Sequence, residues 1–78
     1  MTQIEKLRDR LRAARVESSF SDLRRLLEHY GWSLASQRGS HVTFTKPGAL
    51  RIGFPLVSGR SVKQPYVVKV LKRLGVWE

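Results

Sequence analysis

The spacing of the apolar residues changes at Gly31, and this change constrains the fold more than any other feature of the chain. Before Gly31 the apolar residues recur at the spacing of one helix face, at Leu23, Leu26, Leu27 and Tyr30. From Trp32 to Phe54 apolar and polar residues alternate, which is the period of a strand with one buried face. From Val67 to Leu74 the helical spacing returns. The pattern predicts a helix, then strands, then a second helix.

Turn residues divide the alternating segment into three predicted strands. Arg38-Gly39-Ser40 and Lys46-Pro47-Gly48 have turn chemistry, and Pro55 ends the third strand. Because the links are short, we expect an antiparallel meander. The strand residues expected to face the helices are Trp32, Leu34, Val42, Phe44, Leu50, Ile52 and Phe54. The opposite face of the sheet would carry His41, Thr43, Thr45 and Arg51.

A further helix is predicted at the N-terminus. Thr2 and Glu5 have the spacing of a capping box, and helical spacing continues to about Ala14 or Arg15. Residues 16–19 indicate a break, and residues 57–63 indicate a basic loop before a last helix whose first turn holds Pro65. We expect one α+β domain over residues 1–78. It has two layers, with the helices on one face of a three-stranded antiparallel sheet, in the order α-α-β-β-β-α. Residues 1–18 would add a helix to a core in residues 19–78.

Charge narrows the classes of partner. The chain has 15 Lys and Arg against 6 Asp and Glu, a net charge of +9. From Gly31 onward the acidic residue is Glu78, against the basic residues Arg38, Lys46, Arg51, Arg60, Lys63, Lys69, Lys72 and Arg73. Such a field attracts polyanions, so nucleic acid is the expected partner, and an acidic protein is the alternative.

Other features of the composition concern metals and membranes. Cysteine is absent and there are two histidines, which is too few for a structural zinc site. No apolar run has the length of a membrane span, and the N-terminus has no signal-peptide core. We therefore expect a cytoplasmic protein with no structural metal and no membrane contact.

His41 is the residue with the most catalytic potential. The strand period places it off the core, whereas His29 is expected on the surface of the second helix. A ribonuclease that uses the 2′-hydroxyl of RNA as nucleophile needs a base, an acid and positive charge near the phosphorus. Imidazole can exchange protons near neutral pH. Gly39 would let a phosphate approach the backbone, and Ser40 adds a donor. Lys46 and Arg51 could supply charge, although the same pattern fits an ordinary surface histidine.

Two stretches of the sequence resemble the HicA family of bacterial mRNA-interferase toxins. They are DLRRLLEHYGWSLASQRGSHVTFTKPG and VKQPYVVKVLKRLGV, and the resemblance covers roughly Phe20 to Val76. Its most specific parts are Gly31-Trp32, Gly39-Ser40-His41 and Phe44. The resemblance implies a double-stranded-RNA-binding-like fold. It also implies translation-independent cleavage of mRNA without metal or cofactor, with His41 as the active residue. The implied partner is a HicB-type antitoxin that covers the histidine or occupies the site.

Two features differ from the family pattern. Many relatives have a second histidine in the loop after the third strand, and residues 55–59 have none. The N-terminal helix resembles that of a longer subgroup with VKxxYV at the last helix, where Lys63 and the free helix amides would hold a phosphate. The residues expected to bind RNA are Arg38, Gly39, Ser40, Lys46, Arg51 and Lys63. Two alternatives remain open: a non-catalytic RNA-binding or interaction module of the same fold, and a domain whose basic face binds an acidic protein.

Overall fold

A three-stranded antiparallel sheet and three helices form the architecture in the computed structural model, which describes residues 2–77. The elements in chain order are α1 (Gln3–Ala13), β1 (Glu17–Ser19), α2 (Phe20–His29), β2 (Ser33–Arg38), β3 (His41–Thr45), β4 (Ile52–Pro55), β5 (Ser61–Lys63) and α3 (Gln64–Arg73). The three-stranded sheet has the order β2-β3-β4, which is the predicted meander. The α+β architecture is confirmed. None of the helices within residues 2–77 is long and apolar enough to cross a membrane.

Two short strands were not predicted. Residues 16–19 were expected to be a break and residues 57–63 a loop, but β1 pairs antiparallel with β5 in a separate two-stranded sheet. Glu17 lies opposite Lys63, and Ser19 lies opposite Ser61. Each strand has three mostly polar residues, too few to show an alternation. They become strands because each one supplies the other's hydrogen-bonding partner.

The core joins all three helices to the inner face of the sheet. Its buried apolar residues are Leu7, Leu11, Leu23, Leu26, Leu27, Trp32, Val42, Phe44, Ile52, Phe54, Leu56, Val62, Val67, Val70 and Leu71. Phe44 stacks on Phe54 with ring centroids 5.9 Å apart, and Phe20 meets both rings edge-on at 6.2 Å. Aromatic contacts of this geometry add to the stabilisation from burial alone. The cluster fixes which faces of β3 and β4 are turned inward.

The expected burial of Leu50 is wrong, and that of Leu34 is only partly met. Leu50 is 81% exposed because β4 begins at Ile52, so Leu50 lies in the segment before the strand. Leu34 is half-buried, and the rest of β2 is exposed. The register shifts between Leu34 and Ser36, which leaves Ala35 as an extra residue on β2. A bulge of this kind interrupts the alternation on which the sequence-based assignment depended.

The N-terminal helix is tied to the rest of the molecule by Gln64. The predicted capping box is present, with Thr2 and Glu5 exchanging hydrogen bonds of 3.0 and 3.1 Å. At the other end of α1, the buried side chain of Gln64 donates from Nε2 to the Leu11 carbonyl at 3.0 Å. Its Oε1 accepts from Ser18 Oγ at 3.3 Å. The first residue of α3 therefore caps the last turn of α1.

Candidate nucleic-acid interface and catalytic residue

His41 is the first residue of β3 and lies on the outer face of the sheet. The preceding turn contains Gly39, whose φ of +59° lies in the left-handed region that favours glycine. Val42 and Phe44 are buried, so the strand period turns His41 to the opposite face, where it is exposed. The structure therefore agrees with the prediction that His41 lies outside the core.

The sheet register gives His41 two direct neighbours. Arg38 pairs with it from β2, and Pro55 pairs with it from β4. Side chains of residues paired in this way lie on one face, with Cβ atoms about 4.5–5.5 Å apart. Arg38 is thus the basic residue that the register places directly beside His41. Both side chains are exposed, so a phosphate can reach them from solvent.

Ser40 connects this hairpin to the segment that leads to α3. Its carbonyl accepts a hydrogen bond from the amide of Leu56 at 2.6 Å. The next residue, Val57, bridges to Ser61 in β5, and its amide donates to the Ser61 carbonyl at 2.8 Å. Lys63 ends β5 and is exposed. These bonds place the turn before His41 and the segment before Lys63 on a common side of the molecule.

The N-terminus of α3 offers less to a phosphate than the sequence suggested. Lys63 is the N-cap residue, and its side chain makes no capping bond. The amide of Gln64 donates to the Val16 carbonyl at 2.9 Å, and Pro65 has no amide hydrogen. Tyr66 therefore carries the first amide of this helix that is available to a ligand. A phosphate held here would depend mainly on the Lys63 ammonium group.

Lys46 and Arg51 lie near the opposite end of β3 from His41. The last pair of the β3–β4 ladder is Phe44 with Ile52, and Arg51 comes just before Ile52, so Arg51 lies about four strand positions from His41. At about 3.3 Å per residue, this separation is roughly 13 Å. Lys46 is one position further and covers Gly31, where an added Cβ would lie 3.4 Å from Lys46 Cε. The structure therefore separates Lys46 and Arg51 from His41.

Two basic residues of α3 were not among the expected site residues. Lys69 and Arg73 line a cavity of about 190 Å³ together with Arg51. Arg73 also lines a second cavity of about 420 Å³, which Lys46 and Trp32 share. Its guanidinium donates to the Leu50 carbonyl at 2.6 Å and lies 5.6 Å from the Trp32 ring centroid. The only sequence signal for these residues was their four-residue spacing off the apolar face of the helix.

The charges of the molecule are unevenly distributed. Asp9, Asp22 and Glu28 form ion pairs with arginines of α1 and α2, such as Arg10–Asp22 at 3.5 Å and Arg24–Glu28 at 3.2 Å. From residue 31 to residue 77 there is no acidic residue. The sheet and α3 therefore present positive charge that no neighbouring carboxylate in that part of the chain neutralises. Within residues 2–77 no group of three or more His, Cys, Asp or Glu side chains could hold a metal ion.

A comparison with protein families matched most of the chain. The family model described as the HicA toxin of bacterial toxin-antitoxin systems matches residues 20–76. The chain belongs to the HicA toxin family. No match was found among curated proteins or among solved structures. HicA proteins are toxins of toxin–antitoxin systems, so membership implies an RNA substrate and an antitoxin partner.

The matched HicA segment begins at the first residue of α2 and ends after α3. It includes His41, Arg38 and the basic residues of α3. It leaves out α1 and β1, although both pack against the matched part through Gln64 and the β1–β5 pairing. The N-terminal helix is therefore structurally integrated with the HicA core.

Proposed function

We propose that this HicA protein is a metal-free endoribonuclease that cleaves mRNA independently of translation, with His41 as its general acid–base. The observation that carries the proposal is an exposed strand histidine paired with Arg38 on a sheet face without acidic residues. Both residues lie in the segment that matches the HicA family. The protein would act in the cytoplasm, and a HicB-type antitoxin would neutralise it by covering His41 or by occupying the RNA site.

The proposed reaction needs one proton removed and one proton supplied. The His41 imidazole takes the proton of the 2′-hydroxyl, and the freed oxygen attacks the adjacent phosphorus. The bond from phosphorus to the 5′-oxygen breaks, and its electron pair goes to that oxygen. The products are a 2′,3′-cyclic phosphate and a 5′-hydroxyl. Arg38 lies where its guanidinium can stabilise the extra negative charge on the phosphorus oxygens in the transition state.

The proton for the leaving oxygen comes from the imidazolium of His41 or from water. The two residues paired with His41 are Arg38 and Pro55. Guanidinium stays protonated and proline has no titratable group, so neither serves as a second acid. A single histidine is expected to give slower cleavage than two proton-transfer groups would, since general acid–base catalysis contributes about 10²–10⁴-fold.

RNA binding would depend mainly on phosphate contacts. Gly39 and Ser40 form the turn at which a phosphate can approach the backbone, since a Cβ added at Gly39 would meet nothing within 4 Å. Lys63 lies beyond this turn along the loop, and Lys46 and Arg51 lie towards the far end of β3. We propose that these residues bind successive parts of one RNA strand. Binding by phosphate contacts predicts a steep decrease of affinity with salt.

The decisive experiment compares the two histidines. We expect bacterial growth arrest and RNA breakdown on expression of the wild type and of His29→Ala. His41→Ala should be harmless, with cleavage of purified RNA reduced by about 10²–10⁴-fold. Because His41 is exposed, its substitution should change the free energy of unfolding by no more than about 0.5 kcal/mol. Equal cleavage by wild type and His41→Ala would refute the role of the histidine.

A non-catalytic RNA-binding module is the second candidate. It is favoured by the absence of a histidine from residues 55–59 and by the absence of a second proton-transfer group from the residues paired with His41. This candidate predicts salt-dependent RNA binding by a harmless wild-type protein, with no cleavage products. If binding is independent of salt as well, the basic face serves an acidic protein instead.

A further inference from the structure

The outer edge of β4 presents unpaired backbone groups. In the three-stranded sheet β4 is an outer strand, paired with β3 alone. The hydrogen bond from the Leu56 amide to the Ser40 carbonyl fixes the phase of the ladder, so Phe54 and Ile52 exchange bonds with β3. The N–H and C=O groups of Gly53 and the carbonyl of Arg51 therefore point away from β3. Pro55 has the same orientation as Gly53, with its backbone nitrogen facing away from β3. Its missing N–H therefore removes no hydrogen bond between β3 and β4.

A groove runs along this edge between β4 and α3. It has a volume of about 190 Å³, and residues 51–54 line it on the side of the strand. The helix contributes Tyr66, Lys69, Val70 and Arg73, which have the spacing of one helix face. We call this feature the β4–α3 groove. It brings the open strand edge and a helix face to the same cavity.

The walls of the β4–α3 groove combine apolar and cationic groups. Ile52, Phe54 and Val70 are buried residues of the core that line it. Arg51, Lys69 and Arg73 are exposed, and within residues 2–77 no acidic residue lines the cavity. The hydrogen bond from Arg73 to the Leu50 carbonyl ties α3 to the start of the strand segment. Leu50, 81% exposed, adds an apolar side chain near that point.

We propose that the β4–α3 groove binds an extended acidic segment of a partner protein, which pairs with β4 as a fourth strand. An added strand can accept from the N–H of Gly53 and donate to the carbonyls of Arg51 and Gly53. Its side chains opposite Ile52 and Phe54 point to the helix side of the sheet. There an apolar side chain meets Val70, and a carboxylate meets Lys69 or Arg73.

The backbone chemistry of the edge favours a protein over RNA. Phosphate oxygens only accept hydrogen bonds, so RNA along this edge would leave the carbonyls of Arg51 and Gly53 without a donor from the phosphates. A peptide strand satisfies donors and acceptors alternately. The β4–α3 groove can bind such a peptide whether or not His41 cleaves RNA. A covered edge is the usual state of an outer strand, because open edges promote aggregation.

The test uses a blocked peptide of alternating glutamate and valine, titrated into the nitrogen-15-labelled full chain by NMR. We expect the amide signal of Gly53 to shift together with those of Lys69 and Val70. The same peptide with alternate amides N-methylated keeps its charges but cannot pair as a strand. It should bind at least about tenfold more weakly. No shift along the edge, or equal binding of both peptides, would overturn the proposal.

Two variants at one position test the strand edge from the protein side. Gly53→Pro removes the outward N–H and should weaken peptide binding about tenfold. Gly53→Ala keeps it, and its Cβ would lie 3.5 Å from the Val42 carbonyl oxygen, an ordinary contact. It should bind the peptide as the wild type does. If Gly53→Pro fails to fold, the N-methylated peptide still decides the question.

RNA is the competing occupant. A single-stranded RNA oligonucleotide that shifts the amides of Gly53, Lys69 and Val70 and displaces the peptide would assign the groove to RNA and refute the protein partner; a shift at Arg51 alone is expected from the RNA contact proposed above. RNA cleavage, measured on the same samples, should be equal in wild type and both variants. A wild type without cleavage would contradict the ribonuclease proposal and leave the peptide measurement unaffected, so the two proposals fail separately.

Discussion

Replacing Gln64 by leucine should destabilise the protein markedly although no apolar core residue is changed. Leu11 lies in the last turn of α1, where the carbonyls have no partner within the helix. Gln64 Nε2 satisfies the Leu11 carbonyl at 3.0 Å, in a side chain that is 8% exposed. Gln64→Leu keeps the approximate size but removes the donor, so a buried acceptor is left unpaired.

The magnitude follows from the two hydrogen bonds that are lost. An unsatisfied buried polar group costs about 1–3 kcal/mol. The longer bond from Ser18 Oγ, at 3.3 Å, contributes less because Ser18 is only half-buried and can turn to water. We expect a loss of roughly 2 kcal/mol in the free energy of unfolding. At about 4–8 °C per kcal/mol for a domain of this size, the Tm should fall by roughly 8–16 °C.

Gln64→Glu distinguishes the hydrogen bond that Gln64 donates to the Leu11 carbonyl from the one that it accepts from Ser18. The introduced carboxylate can accept from Ser18 but cannot donate to Leu11, whereas the protonated carboxyl can do both. Burial raises the pKa of such a carboxyl in the folded state above its unfolded value. The stability that the protonated carboxyl contributes is therefore present at low pH and lost as pH rises through the folded pKa. Relative to the wild type, Gln64→Glu should be least stable at neutral pH and recover on acidification, whereas the deficit of Gln64→Leu should not vary.

Urea unfolding followed by circular dichroism measures both variants, with Lys72→Ala as an exposed control on the same helix. The control should remain within about 0.5 kcal/mol of the wild type. A Gln64→Leu protein equally close to the wild type would show that the Leu11 carbonyl needs no partner from α3. A pH-independent deficit of Gln64→Glu would contradict the assignment of Nε2 as the donor.

Two further predictions concern the RNA contacts and the first helix. Arg38→Ala should reduce the cleavage rate at saturating RNA by at least about tenfold, because it lies beside His41. Lys46→Ala should leave that rate unchanged and reduce the slope of log affinity against log salt by about 0.7. If both substitutions reduced the rate equally, Arg38 would have no special part in the reaction compared with Lys46. The hydrogen bonds that the Thr2 backbone amide and side chain donate to the Glu5 carboxylate hold its pKa below the usual value of 4.5. The stability that this carboxylate adds is present above that value and lost as pH falls through the lowered pKa. On acidification, the free energy of unfolding of Glu5→Gln should therefore decrease less than that of the wild type.

The candidate site was predictable from sequence where it depended on strand period. Val42 and Phe44 alternate with His41 on a single strand, so the side of the sheet on which His41 lies follows from local sequence. The pairing of His41 with Arg38 did not follow, because the sequence assigned Arg38 to the turn and the bulge at Ala35 decides the face on which Arg38 lies. The positions of Lys69 and Arg73 next to the open edge of β4 could not be predicted from the sequence, because they depend on how α3 packs beside the sheet.

Local sequence was sufficient to predict the three helices, the central strand and the outward position of His41. The signals are local: the Thr2–Glu5 capping box, Pro65 in the first turn of α3, and Gly31 with a φ of +90° at the end of α2. Each of these acts through the dihedral angles or hydrogen bonds of a few neighbouring residues.

The β1–β5 pair, the exposure of Leu50 and the function of Gln64 as a cap of α1 depend on contacts between distant elements. The same contacts set which backbone edge faces the β4–α3 groove. Three-residue polar strands have no preference of their own and form only when a distant partner satisfies their backbone groups. The Leu11 carbonyl is likewise satisfied by a residue far along the chain. The physical reason is that hydrogen bonds between distant segments depend on how the elements pack, which no short stretch of sequence encodes.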